Sequence, residues 1–218
     1  NAILYNQMLK ELNERTQAED ALRASNETSQ AILNASTESV FLMDTSGNVI
    51  ATNETTAARL GKQVSDLAGT NMYDLIPESV GASRKKQMEM VIEKRKPVIF
   101  EDERFGVWLE NSIYPIIDGD GTIRRVAVYG RDITDRKKAE YALRALVAMG
   151  RAREGTNFSI QDLARSEGIP LKFLEQILLA LKNGGLLRSK RGVGGGYQLV
   201  AKPARITLGE VITIFDGP

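Results

Sequence analysis

The stretch that decides the fold is SIQDLARSEGIPLKFLEQILLALKNGGLL, residues 159–187. Ser159 is a good cap for a helix that ends at Gly168, and Pro170 suits the first position of a second helix, where its missing N–H costs nothing. Two helices joined by a turn of about three residues that contains glycine are typical of a helix-turn-helix motif. On the second helix the spacing predicts a buried stripe of Leu171, Leu174, Leu178 and Leu181. The opposite face carries Lys172, Glu175, Gln176 and Leu179.

The segment that follows, RSKRGVGGGYQL at residues 188–199, predicts two strands that meet at a glycine-rich tip. A loose surface loop and a nucleotide-binding loop are the alternatives. The nucleotide loop is disfavoured because it needs a helix after the glycines and a lysine followed by serine or threonine. In a wing, the glycines let the backbone turn tightly and approach a phosphate surface. Arg188, Lys190 and Arg191 would supply the counter-charge.

The charge is distributed unevenly between the two halves of the chain. Residues 141–218 contain eleven Lys and Arg against six Asp and Glu, a net charge of +5. Residues 33–134 contain twelve against fifteen, a net charge of −3. The basic part is therefore a candidate for a polyanionic partner, with double-stranded DNA as the expected one.

Composition excludes several kinds of site. The 218 residues include no cysteine and no histidine, which rules out disulfides, Cys/His zinc sites, thiolate-held iron–sulfur clusters and cysteinyl-flavin photochemistry in this chain. No apolar run approaches the roughly 18 residues of a membrane span, so we expect a cytoplasmic protein without membrane contact. The first residue is Asn1 and no signal peptide is present, which indicates a piece of a longer protein. We find no nucleophile–base pair and therefore expect no enzyme.

Residues 34–134 predict two strands, several short helices and then three strands. This order resembles the Per-Arnt-Sim (PAS) sensor domain, and the resemblance covers roughly residues 26–140. Its most specific piece, DITDRKKAE at 132–140, is similar to the exit motif of such domains, where the last strand hands over to a signalling helix. Thr134 or Asp135 would cap that helix. The resemblance implies a five-stranded antiparallel sheet with flanking helices, and a signal relay through Asp132, Thr134 and Arg136.

Residues 141–218 resemble the IscR-type winged-helix transcription regulators. The resemblance rests on YALRAL, LARSEGIPLKFLEQILLALKNGGLL, RGVGGGYQL and ITLGEVITIFDGP. It implies that the second helix of the motif enters the major groove and that the wing arginine, Arg191, enters the minor groove. The implied DNA-binding residues are Lys172, Glu175, Gln176, Arg188, Lys190, Arg191 and Tyr197. Many relatives hold an iron–sulfur cluster on cysteines and dimerise through a helix beyond GP, but this chain has no cysteine and ends at Pro218.

The sequence also predicts one helix before the PAS domain and one helix after it. Residues 1–33 predict a signalling helix, either paired in a coiled coil or single and solvated. RTQAEDALR at 15–23 and RKKAEYALR at 136–144 share six of nine residues, so both are similar to PAS exit helices. A connecting helix at 135–150 would belong to both domains and, without a glycine or proline run, would transmit rotation or tilt. The fold class is thus α+β: signalling helix 1–33, PAS domain 34–134, connecting helix 135–150 and winged helix-turn-helix domain 141–218.

The signal itself is poorly specified. Five residues are candidates for a ligand pocket in the PAS domain, with packing in the core as the alternative: Met43, Tyr73, Met88, Trp108 and Tyr129. A small organic ligand, a flavin near Trp108, or no ligand at all remain open. EDE at 101–103 reads as a solvated edge and not as a metal site, since only alternate residues of a strand share a face.

These observations predict a homodimeric, signal-responsive transcription regulator that binds DNA. The alternative is a dimeric PAS sensor or interaction module whose winged domain contacts protein. A steep loss of binding with added salt would distinguish DNA from a protein partner.

Overall fold

We describe a computed structural model in which residues 2–190, 192, 195–200 and 202–216 are placed well enough for description. The chain forms two compact units. The first comprises Asn1–Arg104 and Leu109–Asp132, and the second comprises Phe105–Trp108 and Ile133–Pro218. The predicted α+β class with a five-stranded sheet, an N-terminal helix and a winged helix-turn-helix is confirmed.

The first unit is a mixed sheet-and-helix domain. Its strands are β1 (Ser39–Asp44), β2 (Val49–Thr52), β3 (Val98–Arg104), β4 (Val107–Ile117) and β5 (Ile123–Asp132), of which β4 begins in the second unit. They lie in the order β2-β1-β5-β4-β3. Helix α1 (Ala2–Asn34) precedes the sheet. Between β2 and β3 lie α2 (Glu54–Arg59), α3 (Val64–Leu67), a 3₁₀ turn (Met72–Leu75) and α4 (Glu78–Lys94).

One face of the sheet forms the core of the first unit. Because side chains alternate along a strand, Val126 and Val128 of β5 point into the core, where they are 0% and 4% exposed, and Tyr129 points away. Helix α4 covers the same core with Met88 and Val91. The result is a sheet with one buried face and one solvated face, the usual arrangement for antiparallel strands.

Asn53, fully buried, joins three segments at the edge of the first unit. Its Oδ1 accepts hydrogen bonds from the backbone N–H groups of Val40 (3.1 Å) and Thr56 (3.0 Å), so it is also the N-cap of α2. Its Nδ2 donates to the carbonyl oxygens of Leu33 (3.2 Å) and Glu38 (2.8 Å). A buried amide with all of these partners fixes the end of α1 against β1 and α2.

Helix α1 is exposed along its described length except at Leu33, which is half-buried. Tyr5, Met8, Leu12 and Leu22 are each at least 60% exposed. Most of the stability of a helix in a protein comes from packing its apolar face against another surface. The exposed apolar residues of this 33-residue helix therefore favour a partner surface. The pairing of this helix with a second copy stays a prediction.

The second unit is built on helices. They are α5 (Thr134–Gly150), α6 (Ile160–Glu167), α7 (Leu171–Asn183) and α8 (Leu208–Asp216), with a 3₁₀ turn at Pro203–Arg205. Strands β6 (Leu187–Lys190) and β7 (Gly196–Leu199) form a two-stranded antiparallel ribbon. The core consists mainly of one face of α5 and one face of α7, joined by Leu163, Leu187 and Val211.

Trp108 packs in the core of this second unit, so its predicted place in a PAS ligand pocket is wrong. Its ring meets Tyr141 edge-on with centroids 6.1 Å apart and tilts against Phe173 at 6.4 Å. Lys137 places its ammonium 5.4 Å from the same indole ring, within range of a cation–π interaction. The residue lies at the start of β4, where the chain belongs to the helical unit.

The start of α5 also differs from the prediction. The N-cap is Ile133, which offers no side-chain cap, and neither Thr134 nor Asp135 takes that position. The Thr134 hydroxyl instead accepts a hydrogen bond from the backbone N–H of Trp108 (3.0 Å), and the Ile133 N–H donates to the Trp108 carbonyl (2.9 Å). The first turn of α5 is therefore held by the residues at the start of β4.

Candidate nucleic-acid interface

Helices α6 and α7 have the ends that the sequence predicts, with one shift. The Ser159 hydroxyl accepts a hydrogen bond from the backbone N–H of Asp162 (3.1 Å), which caps α6. Gly168 ends that helix in the left-handed conformation at φ +62°. Pro170 is the N-cap of α7 and not its first helical residue. This one-residue shift leaves the advantage of proline unchanged, since an N-cap N–H also lacks a helical partner.

Helix α7 buries one stripe and exposes the opposite face. The buried residues are Phe173, Leu174, Ile177, Leu178 and Leu181. Leu171 was expected among them but is 41% exposed. Successive residues of a helix turn by about 100°, so a stripe centred between Phe173 and Leu178 leaves Leu171 roughly a quarter turn away.

The exposed face of α7 carries the three residues expected to read bases. Lys172, Glu175 and Gln176 are all exposed, as predicted from their spacing. Lys172 forms no ion pair with any described residue, so its charge is available to a partner. An ammonium, a carboxylate and an amide group thus lie together on the first two turns of the helix.

The wing is a ribbon whose two faces differ in chemistry. Opposite residues in the register are Leu187 with Leu199, Arg188 with Gln198, Ser189 with Tyr197 and Lys190 with Gly196. Alternation therefore places Arg188, Lys190 and Gln198 on the outward face. The Arg188 Nε donates to the Gln198 Oε1 at 2.6 Å, which orients the guanidinium.

Tyr197 lies on the inward face of the wing, so its assignment to the DNA-binding set is not supported by its position. Its side chain is half-buried and packs against the core of the second unit with Leu199 and Phe158. Its backbone exchanges two hydrogen bonds with Phe158, at 2.9 and 2.8 Å. Tyr197 is thus a residue that attaches the wing to the helices. The predicted minor-groove residue Arg191 lies outside the described residues.

The predicted ligand pocket of the first unit is a nearly filled core. A cavity of about 10 Å³ lies among Met43, Tyr73 and their neighbours. That is about the space of one water molecule, so a flavin or another organic ligand would need these side chains to move, and a ligand of the PAS domain stays a prediction. Met88 packs in the same core, and burial raises the pKa of the Tyr73 phenol. Tyr129 is 40% exposed on the other face of the sheet, so its assignment to the pocket is wrong.

Arg84, Asp102 and Asn111 form a buried polar cluster that the sequence did not predict. The Arg84 guanidinium donates two hydrogen bonds to the Asp102 carboxylate, at 2.7 and 2.8 Å, and the Asn111 Nδ2 donates to the same carboxylate at 3.0 Å. Arg84 is 7% exposed and lines the small cavity together with Asn111. The alternation in EDE was a usable signal, because it places Asp102 on the face opposite to Glu101 and Glu103.

Comparison with known families assigns the two parts of the chain. Residues 33–138 match the family model described as PAS fold. Residues 136–218 match the Rrf2 family model, described as an iron-dependent transcriptional regulator. The chain joins a PAS domain to an Rrf2 domain. Both resemblances predicted from the sequence are thereby confirmed.

The relatives of the Rrf2 domain are named as transcription regulators. A protein of Mycobacterium tuberculosis (strain CDC 1551 / Oshkosh), named as an HTH-type transcriptional regulator, is 44% identical over 81 residues, which are 37% of this chain and 50% of the relative. The HTH-type transcriptional regulator IscR of Aliivibrio salmonicida is 40% identical over 80 residues, 36% of this chain and 47% of IscR. The solved structure of CymR, described as the global cysteine regulator of B. subtilis, is 32% identical with a TM-score of 0.35, covering 37% of this chain and 63% of that one. The chain spans about half the length of the curated relatives it matches.

The residues expected to relay a signal lie around the junction of the PAS and Rrf2 matches. Asp132 is the last residue of β5 and pairs with Leu109, and Arg136 lies in the first turn of α5. Both are exposed. Thr134 is half-buried and bonded to the Trp108 backbone. Thr134 is therefore anchored inside the unit that contains the Rrf2 match.

Among the residues that the structure describes, no group of three or more potential metal ligands comes together. Within the same residues, no helix combines the length and the apolar character needed to cross a bilayer.

Proposed function

We propose that this chain is a signal-responsive, DNA-binding transcription regulator in which the PAS domain controls the Rrf2 domain through α5, in the cytoplasm. The observation that carries the proposal is the presence, in one unit, of an exposed polar face on α7 and a basic outward face on the wing. The names of the Rrf2-domain relatives support the regulatory role. The same names support the proposal that this chain is not an enzyme.

The face of α7 suits the major groove, which is about 12 Å wide and admits a helix. Lys172 is chemically matched to the acceptors of guanine, Gln176 to adenine, and Glu175 to the amino group of cytosine. The outward face of the wing, with Arg188 and Lys190, would neutralise backbone phosphates. Phosphate contacts set the affinity and base contacts set the sequence preference.

Helix α5 is the proposed connection between signal and DNA. Its 17 residues form one helix with a buried face that includes Ala142, Ala145, Leu146 and Met149. Because the helix follows β5 after a single residue, a change in the PAS sheet would reach the Rrf2 domain as a rotation or tilt of α5. Asp132, Thr134 and Arg136 would take part in that relay.

A homodimer would convert this movement into a change of DNA affinity. Recognition helices of a dimer must match half-sites about 34 Å apart, so a small change of their spacing removes one of them from its groove. The exposed apolar residues of α1 are the proposed pairing surface. Differential binding of a few kcal/mol between two states is sufficient for a large change in occupancy.

The proposal is tested by selecting duplexes from a random-sequence pool with the full chain and measuring affinity by fluorescence anisotropy. Gln176→Ala and Lys172→Ala should weaken binding to the selected duplex by about tenfold each and relax its sequence preference, as expected for loss of a base contact. Lys62→Ala, an exposed lysine of the PAS unit, is the matched control and should have no effect. If the α7 variants bind like the control, or if the native chain selects no DNA, the interaction-module alternative takes the place of this proposal.

The role of α5 has its own test. Three glycines inserted after Thr134 should weaken binding to a duplex with two half-sites and leave binding to a single half-site unchanged. The reason is that a flexible joint frees the recognition helices from the paired PAS domains. Equal binding of native and inserted chains to the two-half-site duplex would show that α5 does not set the spacing.

A further inference from the structure

An open pocket lies between the loop that joins α5 to α6 and the segment that follows β7. One wall is formed by described residues within 149–158 and the other by described residues within 199–204. We call it the loop pocket, and all of its residues belong to the second unit. Its volume is about 410 Å³, which falls within the roughly 300–1,000 Å³ of small-molecule sites.

The two walls of the loop pocket run in opposite directions and meet near both of their ends. The end of α5 lies against the 3₁₀ turn, since a Cβ on Gly150 would be 3.1 Å from the Cβ of Pro203 and 3.2 Å from its Cγ. At the other end, Phe158 and Tyr197 exchange two backbone hydrogen bonds, at 2.9 and 2.8 Å. Backbone packing therefore holds the pocket open between two fixed contacts.

The inner part of the loop pocket is apolar. Met149 is 2% exposed and belongs to the core of the second unit. Phe158 and Leu199 are half-buried and pack against the same core. A ligand with an apolar body would cover these side chains and remove more of their surface from water, which favours its binding.

Charged side chains stand at the rim of the loop pocket. Arg153 and Glu154 belong to the loop, Lys202 belongs to the opposite wall, and all three are exposed. None of the three forms an ion pair with a residue that the structure describes. Two cations against one carboxylate leave a net charge of +1 at the rim. The charge of the pocket thus complements an anionic group.

Thr156 fixes the turn that carries the loop side of the rim. Its backbone N–H and its hydroxyl both donate to the Arg153 carbonyl oxygen, at 3.1 and 2.7 Å. Gly155 completes the turn at φ +85°, a conformation that favours glycine. The backbone of Arg153 is therefore held in place, while its guanidinium bonds no group among the described residues.

We propose that the loop pocket is a binding site for a small organic carboxylate with an apolar body. The body would lie on Met149, Phe158 and Leu199, and the carboxylate would meet Arg153 and Lys202. A planar guanidinium can donate two parallel hydrogen bonds to one carboxylate, which suits Arg153 to this role.

The site is separate from the PAS core, where the cavity has about the space of one water molecule. It also goes beyond the proposed function, because it does not require that the chain binds DNA. A ligand in the loop pocket would join the loop to the segment that leaves the wing, so its binding would stabilise the second unit against unfolding.

The test compares phenylbutyrate, phenylbutanol and phenylbutylamine, which share a ring and chain and differ in the end group. Each is titrated into the full chain at constant ionic strength, and binding is followed by the NMR chemical shifts of the backbone amides. Phenylbutyrate should shift the amides of Gly155, Thr156 and Leu199 to saturation. The alcohol should bind about tenfold more weakly, because it lacks the charge-assisted contacts, and the amine should not bind.

Variants of the rim and of the opposite wall locate the ligand. Lys202→Ala and Arg153→Ala should each weaken phenylbutyrate binding by about tenfold. Arg151→Ala is the matched control, since Arg151 is an exposed arginine at the C-cap of α5 outside the pocket, and it should bind like the native chain. Ala204→Phe places a ring at the wall and keeps both cations, and it should abolish binding.

Stability gives an independent readout of the same site. Phenylbutyrate should raise the urea midpoint of Trp108 emission in the native chain and leave that of Ala204→Phe unchanged. Equal binding of the acid and the amine, shifts confined to amides outside the pocket, or native affinity in both Lys202→Ala and Arg153→Ala would overturn the inference. A chain that binds phenylbutyrate in this way and no duplex DNA would remove the proposed function and leave the loop pocket in place.

Discussion

Gly196 provides the sharpest test of how the wing is attached. This glycine lies at φ +149°, and a Cβ there would overlap the Phe158 carbonyl oxygen and lie 2.7 Å from its carbon, below the 3.0 Å that real Cβ contacts respect. In Gly196→Ala the two backbone groups must therefore separate. The bridge between Phe158 and Tyr197 contains two hydrogen bonds, at 2.9 and 2.8 Å. At about 0.5–1.5 kcal/mol each, their loss lowers the free energy of unfolding by roughly 1–3 kcal/mol.

The assay uses the only tryptophan of the chain as a reporter of one unit. Because Trp108 lies in the second unit, its emission during urea unfolding follows that unit alone. With a slope of about 1–3 kcal/mol per molar urea, the midpoint should fall by about 1 M at unchanged slope. Gly209→Ala is the control, since its Cβ would meet nothing within 4 Å and alanine favours a helix. A Gly196→Ala midpoint equal to that of the native chain would refute the close approach of the wing to Phe158.

Three further predictions concern other parts of the molecule. Trp108→Ala should destabilise the second unit by about 3–5 kcal/mol, measured by near-ultraviolet circular dichroism of Tyr141 and its neighbours during thermal unfolding. Trp108→Phe should recover much of this lost free energy of unfolding. Asp102→Ala should destabilise the first unit by about 3–5 kcal/mol in chemical denaturation, because it leaves the Arg84 charge buried without its carboxylate, and exposed Glu101→Ala should cost far less. Hydrogen bonding from Arg124 lowers the pKa of Asp120 to about 2. A carboxyl whose pKa is lower in the folded state than in the unfolded state stabilises the fold at pH values above the unfolded pKa. The contribution of Asp120 to folding stability should therefore be complete above about pH 4 and lost as the pH falls to 2. An NMR titration that gives Asp120 an ordinary pKa in the native chain, or the same pKa in Arg124→Ala, would contradict it.

The parts of the fold that the sequence predicts well are set by local chemistry. The cap at Ser159, the left-handed end at Gly168 and the buried stripe of α7, apart from Leu171, each depend on a few adjacent residues and are found in the structure. The alternation of side chains along a strand is another local rule, and it determines the face on which each residue lies. Alternation along β5 separates Tyr129 from Val128, and alternation along β7 separates Tyr197 from Gln198, so their true faces could have been predicted.

The remaining features depend on which distant segments meet. Trp108 follows a sharp turn between two PAS strands, and nothing in its neighbourhood in the sequence indicates that it packs against Tyr141 and Phe173. The pairing of Arg84 with Asp102 is similar, since one residue lies on a helix and the other on a strand. Arg84 stands among lysines in SRKK, where a charged residue normally indicates a solvated face. Such contacts follow from tertiary packing and are visible only in the structure.

The central claim is that the basic unit of this chain binds DNA through α7 and the wing. It is tested most directly by the affinity of the full chain for duplex DNA at two salt concentrations, compared with that of Arg191→Ala. The account predicts tight binding that weakens steeply with salt, and a further loss in Arg191→Ala together with a smaller salt dependence. Absence of binding, or binding that neither added salt nor the loss of Arg191 changes, would contradict it.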